Sequence, residues 1–257
     1  MPAIQGFLID LDGTLYQGDE LIPGAAEALG RMEAAGVPYR FVTNTTSKPR
    51  HDIVAKLRRL GVQSNPEHIF TAPAVARSYL LKQGIKKCFF LLRAPLLADL
   101  EGIEVVERDL PGAVVIGDMG DDFTYNKLNR AFRYLQEGAA FITMARNRYF
   151  KSGGKLCLDV GAFVAALEYA SSREATLIGK PSPAFFAAAL ESMGLEPGQA
   201  AMIGDDSESD VAGAQAVGLT GIQVRTGKFR PELLDTAGIT PDHTVASLAD
   251  APALAGI

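Results

Sequence analysis

Phe7-Leu8-Ile9-Asp10-Leu11-Asp12-Gly13-Thr14-Leu15 runs a short apolar segment straight into two carboxylates and a glycine. An unbroken apolar run of this length reads as a strand buried on both faces, as strands of a parallel sheet are. The acids then stand at the strand's carboxyl end, which is where an open parallel sheet binds its ligands.

Outward from that strand the pattern repeats. Pro23-Gly24 precede a helical stretch from Ala25 to about Ala35, with Leu29 and Met32 at helical spacing and Gly36 as its stop. Tyr39-Arg40-Phe41-Val42-Thr43 reads as a second strand. Strand, helix and strand in close succession predict a right-handed crossover between parallel neighbours, which brings Thr43 beside Asp10. Asn44-Thr45-Thr46-Ser47 follows as a polar turn, and Ser47 with Pro49 either caps the next helix or serves the strand ends. That helix runs to about Leu60 on a buried stripe of Ile53, Leu57 and Leu60.

Ile69-Phe70-Thr71 reads as a third short strand and 73–83 as a helix, after which the texture changes. Strands are expected at 87–92, 103–107, 113–116, 140–143 and 156–159, with helices over 125–137 and 161–170. These form a smaller α/β unit inserted in the first. The expected division is a core over 1–77, an insertion over 78–177 and the core again over 178–257. At Gly179-Lys180-Pro181-Ser182-Pro183 the core resumes with a helix that stops at Gly194. Ala200-Ala201-Met202-Ile203-Gly204 is then another apolar run ending in two acids, Asp205 and Asp206. Strands near 221–224 and 243–245 and a weak helix after Pro231 complete the expected fold, a doubly wound, Rossmann-like parallel sheet with an inserted α/β domain.

Composition narrows the partners. Of 257 residues, 47% are hydrophobic and 21% charged, ordinary for a globular chain. A net charge of -5 without a dense Lys/Arg run argues against nucleic acid. No uncharged apolar stretch approaches the roughly 20 residues of a membrane span, so no membrane partner is expected and the cytoplasm is the expected compartment. Cys88 and Cys157 lie in apolar segments without metal-ligand spacing and are expected as buried thiols. His51, His68 and His243 lack partners at ligand spacing and are expected in surface or packing roles.

With the strands ending at Asp10, Thr43 and Gly204 side by side, Asp10, Asp12, Asp205 and Asp206 gather in one crevice near Thr43 and Lys180. Crowded carboxylates raise one another's pKa unless a cation is present. Oxygen-only ligands favour Mg2+ over zinc. Such a site, with a hydroxyl and a lysine beside it, suits phosphoryl transfer, where positioning and charge neutralisation supply most of the catalysis. A calcium loop beginning at Asp10 is excluded, because it needs glycine at its sixth position and Glu at its twelfth, where this chain has Leu15 and Leu21.

In this chain order, Asp10-Leu11-Asp12-Gly13-Thr14, Thr43 after an apolar strand, Lys180, and Gly204-Asp205-Asp206 followed by Asp210 resemble the four motifs of the haloacid dehalogenase superfamily of phosphotransferases. The resemblance covers nearly the whole chain. It implies that Asp10 attacks phosphorus, that Asp12 protonates the leaving oxygen and then activates water, and that Asp10, the Asp12 carbonyl and Asp205 hold Mg2+. Thr43, the Asn44 backbone and Lys180 would bind the phosphoryl oxygens, while Asp206 and Asp210 hold metal waters or Lys180. An insertion between the second and third motifs is similar to the larger, type II cap. The group most resembled contains 4-nitrophenyl phosphatases, nucleotide phosphatases and phospholysine/phosphohistidine/pyrophosphate phosphatases; Arg148-Tyr149-Phe150-Lys151 and Gly161-Ala162-Phe163-Val164 carry the likeness to the last. Arg146-Asn147-Arg148 replaces the Asn-Pro-Asp loop of several relatives. A homodimer formed through the cap is an arrangement known among them.

Simpler readings stand beside these. Asp206 could only cap the helix that follows, and Arg146 and Arg148 are either exposed charges or a face that meets an anionic substrate. Asp118, Asp121 and Asp122 read as a polar loop opening the helix at Tyr125. The expected function is Mg2+-dependent hydrolysis of a small phosphorylated metabolite. Its rivals are haloacid dehalogenation, which needs neither the metal nor an acid for its leaving group, and a phospho-acceptor module without turnover.

Overall fold

The computed structural model describes residues 4–152, 155–231 and 238–257. In chain order its strands and main helices are β1 (Gly6–Asp10), the hairpin β2 (Tyr16–Gln17) and β3 (Glu20–Leu21), α1 (Ala25–Ala34), β4 (Tyr39–Thr43), α2 (Arg50–Arg59) and β5 (Ile69–Thr71). Then come α3 (Ala72–Lys82), β6 (Lys87–Leu91), β7 (Glu104–Val105), β8 (Ala113–Ile116), α4 (Tyr125–Gln136) and β9 (Ala140–Thr143). The hairpin β10 (Tyr149–Ser152) and β11 (Lys155–Leu158), α5 (Val160–Ser171), β12 (Thr176–Leu177), α6 (Pro183–Glu191), β13 (Ala200–Gly204), β14 (Thr220–Val224) and β15 (His243–Val245) complete the set.

The chain forms two compact units. One comprises Met1–Thr43, Arg50–Phe70 and Lys180–Ile257, the other Asn44–Pro49 and Thr71–Gly179. In the first, six strands lie in the order β15-β14-β13-β1-β4-β5. β1 is central because every one of its residues is apolar or ends the strand, and all five are buried. Phe7 and Ile9 pack with Phe41, Ile203 and Ile222 against Leu29 and Met32 of α1 and Ile53 and Leu57 of α2. Each such side chain, fully buried, contributes roughly 1.5–3 kcal/mol. Helix α1 stops at the sequence-marked glycine: Gly36 takes φ +69, and the Val37 N–H closes back on the Met32 carbonyl at 2.9 Å. Register sets the site, since Asp10 lies opposite Val42 of β4, and Ile9 opposite Ile203 of β13. Thr43 and Asp205 therefore each stand one residue beyond Asp10's row.

The second unit is a five-stranded sheet, β12-β9-β8-β6-β7, with α4 and α5 packed on Phe89, Leu91, Val114 and Ile116. Both units are α/β with parallel pairing, as expected. The expected boundary at residue 78 falls inside α3, a single helix capped by Thr71, whose hydroxyl accepts from the Ala74 N–H at 3.3 Å; the helix groups with the second unit whole.

Several local expectations change. The strand expected over 103–107 shrinks to exposed Glu104–Val105, because it is the sheet's edge. The strand expected over 156–159 is present as β11, but as one arm of the antiparallel β10–β11 hairpin rather than of the sheet, with Leu156 and Leu158 each 68% exposed. Cys157, on that arm, is only half-buried, whereas Cys88 is buried as expected. The helix expected after Pro231 falls on 232–237, outside the described residues. Among the described residues no helix is long and apolar enough to cross a membrane.

Candidate active site

β1 delivers Asp10 to its carboxyl end, and the chain then doubles back at once. The Leu11 carbonyl accepts from the N–H groups of Leu15 and Tyr16 at 2.9 and 3.1 Å, and Gly13 turns the corner at φ +84, where a side chain would be strained. Asp12 rides this turn with its side chain exposed, while Asp10 stays buried.

β13 ends in Gly204-Asp205-Asp206 and runs into a π-helical turn, Ser207–Ala212. Asp206 caps that turn, accepting from the Glu208 and Ser209 N–H groups at 3.2 and 3.0 Å. The simple reading of Asp206 is thus realised, and a second contact is added, an ion pair to Lys228 at 3.2 Å. Asp210 folds back beneath the strand end, where its Oδ2 accepts from the Asp206 N–H at 3.2 Å. Only glycine permits this at 204, since a Cβ there would lie 2.1 Å from Asp210 Oδ2.

Lys180 enters between two acids. Its Nζ stands 2.6 Å from Asp10 Oδ1 and 2.7 Å from Asp210 Oδ1, with all three side chains buried. Oxygens of Asp10, Asp205 and Asp210 lie within 4.8 Å of one another. Burial and neighbouring acids push Asp205 up to about 6 and Asp210 to about 7, and burial raises Asp10 despite its lysine. For Lys180 burial opposes the charge, but Asp10 and Asp210 outweigh it and raise its pKa. Lys180 is a buried ammonium between Asp10 and Asp210. Asp205, the third acid of the group, has the exposed Lys228 as its neighbouring cation, so the carboxylates outnumber the buried positive charge. An all-oxygen set with that excess fits a hard divalent cation such as Mg2+.

Lys180→Met is expected to cost about 3–5 kcal/mol, because it strips the buried cation from two buried acids. The deficit should shrink toward acid pH, where Asp10 and Asp210 take up protons instead. Denaturant unfolding at two pH values checks this, and a deficit independent of pH would contradict it.

Thr43 is buried at the end of β4. Asn44 groups with the second unit, where its Oδ1 would lie 2.9 Å from a Cβ on Gly179. Arg146 is committed to packing: its guanidinium spans both Glu168 oxygens at 2.6 and 3.2 Å and donates to the Ala175 carbonyl at 2.9 Å. Arg148 is exposed, with no side-chain partner among the described residues. Asp118 pairs with Arg93 at 3.0 Å and accepts from the Gly120 N–H, consistent with a polar loop.

Sequence reading missed the segment Thr226-Gly227-Lys228, which follows β14. Its Lys228 N–H donates to Asp205 Oδ2 at 2.7 Å and its Thr226 hydroxyl to the Gly13 carbonyl at 2.5 Å. Buried Gln223 was missed as well, and it donates to the Asp205 carbonyl at 3.0 Å. The only local signal was a polar, glycine-containing turn at a strand's carboxyl end.

Comparison with known proteins places these features in a lineage. Residues 7–105 match the profile of haloacid dehalogenase-like hydrolases, and 177–251 match a second, HAD-hydrolase-like profile. The chain is 44% identical over 228 residues to human haloacid dehalogenase-like hydrolase domain-containing protein 2, covering 89% of this chain and 86% of that one. It is 40% identical over 257 residues to the phospholysine phosphohistidine inorganic pyrophosphate phosphatase of Bos taurus, covering 98% and 94%. Among solved structures, the 4-nitrophenylphosphatase of Thermotoga maritima superposes with a TM-score of 0.90 at 30% identity over 98% of this chain and 97% of that one. NagD of E. coli K-12 superposes at 0.87 and 25% identity over 96% and 98%.

Proposed function

The chain belongs to the haloacid dehalogenase-like hydrolase family, and from that premise we propose that it is a Mg2+-dependent phosphatase of small phosphorylated metabolites that works through an aspartyl phosphate on Asp10. The observation that carries the reading is Asp10 at the end of β1, held 2.6 Å from Lys180, with Asp205 and Asp210 oxygens within 4.8 Å.

In this reading ionised Asp10 attacks phosphorus, and the new carboxylate–phosphorus bond forms as the bond to the leaving oxygen breaks. Asp12, exposed on the Gly13 turn, gives that oxygen a proton, then takes one from the water that releases phosphate and restores Asp10. Lys180 offsets charge beside Asp10, Thr43 and the Asn44 backbone meet the phosphoryl oxygens, and Asp210 holds Lys180. Mg2+ held by Asp10, Asp205 and the Asp12 carbonyl would supply the positive charge that lets an anionic phosphate approach a carboxylate. The positive charges beside Asp10, Lys180 and a bound cation, are what would keep this buried carboxylate ionised for attack.

The test is a panel of phosphomonoesters, pyrophosphate and phosphoamino acids assayed with Mg2+. The bovine relative is named for phospholysine, phosphohistidine and pyrophosphate, so activity toward pyrophosphate and P–N bonds is the subgroup outcome. Asp12→Asn should lower kcat by about 10²–10⁴. With 4-nitrophenyl phosphate, whose leaving group needs little protonation, the variant should instead trap a phosphorylated protein visible by intact mass. Wild-type turnover with Asp12→Asn would remove Asp12 from the mechanism.

A further inference from the structure

The loop that leaves β14 presses on the site without offering it a ligand. Gly227, at φ +63, lies directly against Gly13, at φ +84, with the Asp205 carboxylate beside both. A Cβ on Gly13 would come within 2.2 Å of Asp205 Oδ2, and one on Gly227 within 2.1 Å. Along the carboxylate's edge the Lys228 N–H donates to the same Oδ2 at 2.7 Å. The Thr226 hydroxyl reaches across to the Gly13 carbonyl at 2.5 Å, tying the loop to the turn that carries Asp12. Behind it, fully buried Gln223 donates to the carbonyls of Gly204 and Asp205 and accepts from the Ser207 hydroxyl. Lys228 Nζ closes the far side on Asp206.

We infer that Thr226-Gly227-Lys228 is a positioning strap that fixes the Asp205 carboxylate against the Asp10–Gly13 turn in the orientation a divalent cation requires. The inference rests on the reading of Asp10 and Asp205 as cation ligands. Its physical content is a carboxylate whose orientation is set before any cation binds. Oδ2 accepts from the Lys228 N–H and lies against two glycines, so the carboxylate is held in one orientation and has no rotation to lose when a cation binds. Groups that orient a ligating carboxylate in this way typically govern metal affinity by about 10–100-fold. The strap acts mainly through backbone and one hydroxyl, so its positioning residues are Thr226 and Gly227; the Lys228 side chain only braces it.

Mn2+ binding followed by electron paramagnetic resonance reads the strap directly, in parallel with the Mg2+ dependence of turnover. Thr226→Val keeps the shape but removes the hydroxyl, and should raise both the Mn2+ Kd and the half-saturating Mg2+ by about 10-fold or more. The substrate KM at saturating Mg2+ should stay unchanged, and Thr226→Ser should restore wild-type affinity. Gly227→Ala should weaken binding further, because its methyl group collides with the carboxylate. Folding is verified for each variant by thermal melting. If the wild type binds Mn2+ and Thr226→Val and Gly227→Ala bind it equally well, the strap is overturned. Should the wild type bind no divalent cation, the reading of the acids as metal ligands fails instead.

Discussion

Asp10→Asn is expected to abolish phosphate release, a loss on the order of 10⁴-fold or more in kcat, because an amide cannot form the covalent intermediate. The same substitution should not weaken the fold. Asp10 is one of three mutually repelling buried acids, and its pKa is raised by burial even with Lys180 at 2.6 Å. Removing that charge while keeping the side chain's shape leaves Lys180 paired with Asp210 at 2.7 Å. Metal-free melting near neutral pH should therefore show the variant at least as stable as its parent. Retained turnover would move the nucleophile elsewhere, and a marked loss of stability would show that the three acids do not repel one another.

Chelation is expected to act on rate and stability together, with a sign that depends on pH. Burial, with neighbouring acids, pushes Asp205 up to about 6 and Asp210 up to about 7 in the folded chain, against 3.8 for an ordinary aspartate. Between those limits the folded chain holds protons that the unfolded chain has released, so metal-free stability falls as pH rises through the window. Asp206 has the opposite sign: its pKa is depressed because the Ser209 N–H and Lys228 outweigh burial, and its contribution is lost only toward acid. Since Mg2+ requires the ionised acids, the melting temperature gained from saturating Mg2+ should be larger at about pH 8 than at about pH 5.5. EDTA should stop turnover. Full activity in EDTA, or a Mg2+ shift identical at both pH values, would separate these acids from metal binding.

The parts of this site that were legible in the sequence share one physical signature. β1, β4 and β13 are apolar runs that end abruptly in polar residues, and a parallel sheet converts such endings into a single row, so Asp10, Thr43 and Asp205 could be gathered before any coordinates. Lys180 and Asp210 were equally accessible through motif order. What remained hidden depends on neighbours remote in the chain. Thr226 owes its role to Gly13, which is 213 residues away, and nothing near it distinguishes it from any loop threonine. Arg146 was left open between two roles until Glu168, 22 residues on, took both ends of its guanidinium. Leu156 and Leu158 lie on a strand as expected, but an apolar run does not announce that its strand sits on an exposed hairpin. The Gly18-Asp19 turn between β2 and β3 did carry a hairpin signal, but with only two residues per strand no alternation developed around it.

Gly13, Gly204 and Gly227 each have a carboxylate oxygen about where a side chain would begin, at 2.2, 2.1 and 2.1 Å. In a saturation mutagenesis screen these three positions should tolerate replacement as poorly as the acids do, although none of them carries a group that can react. A tolerance map drawn without coordinates would score all three as catalytic. The barrier is one-sided: a side chain at any of these glycines needs the neighbouring carboxylate to move, so the space beside the acids is as much a part of the centre as the acids are.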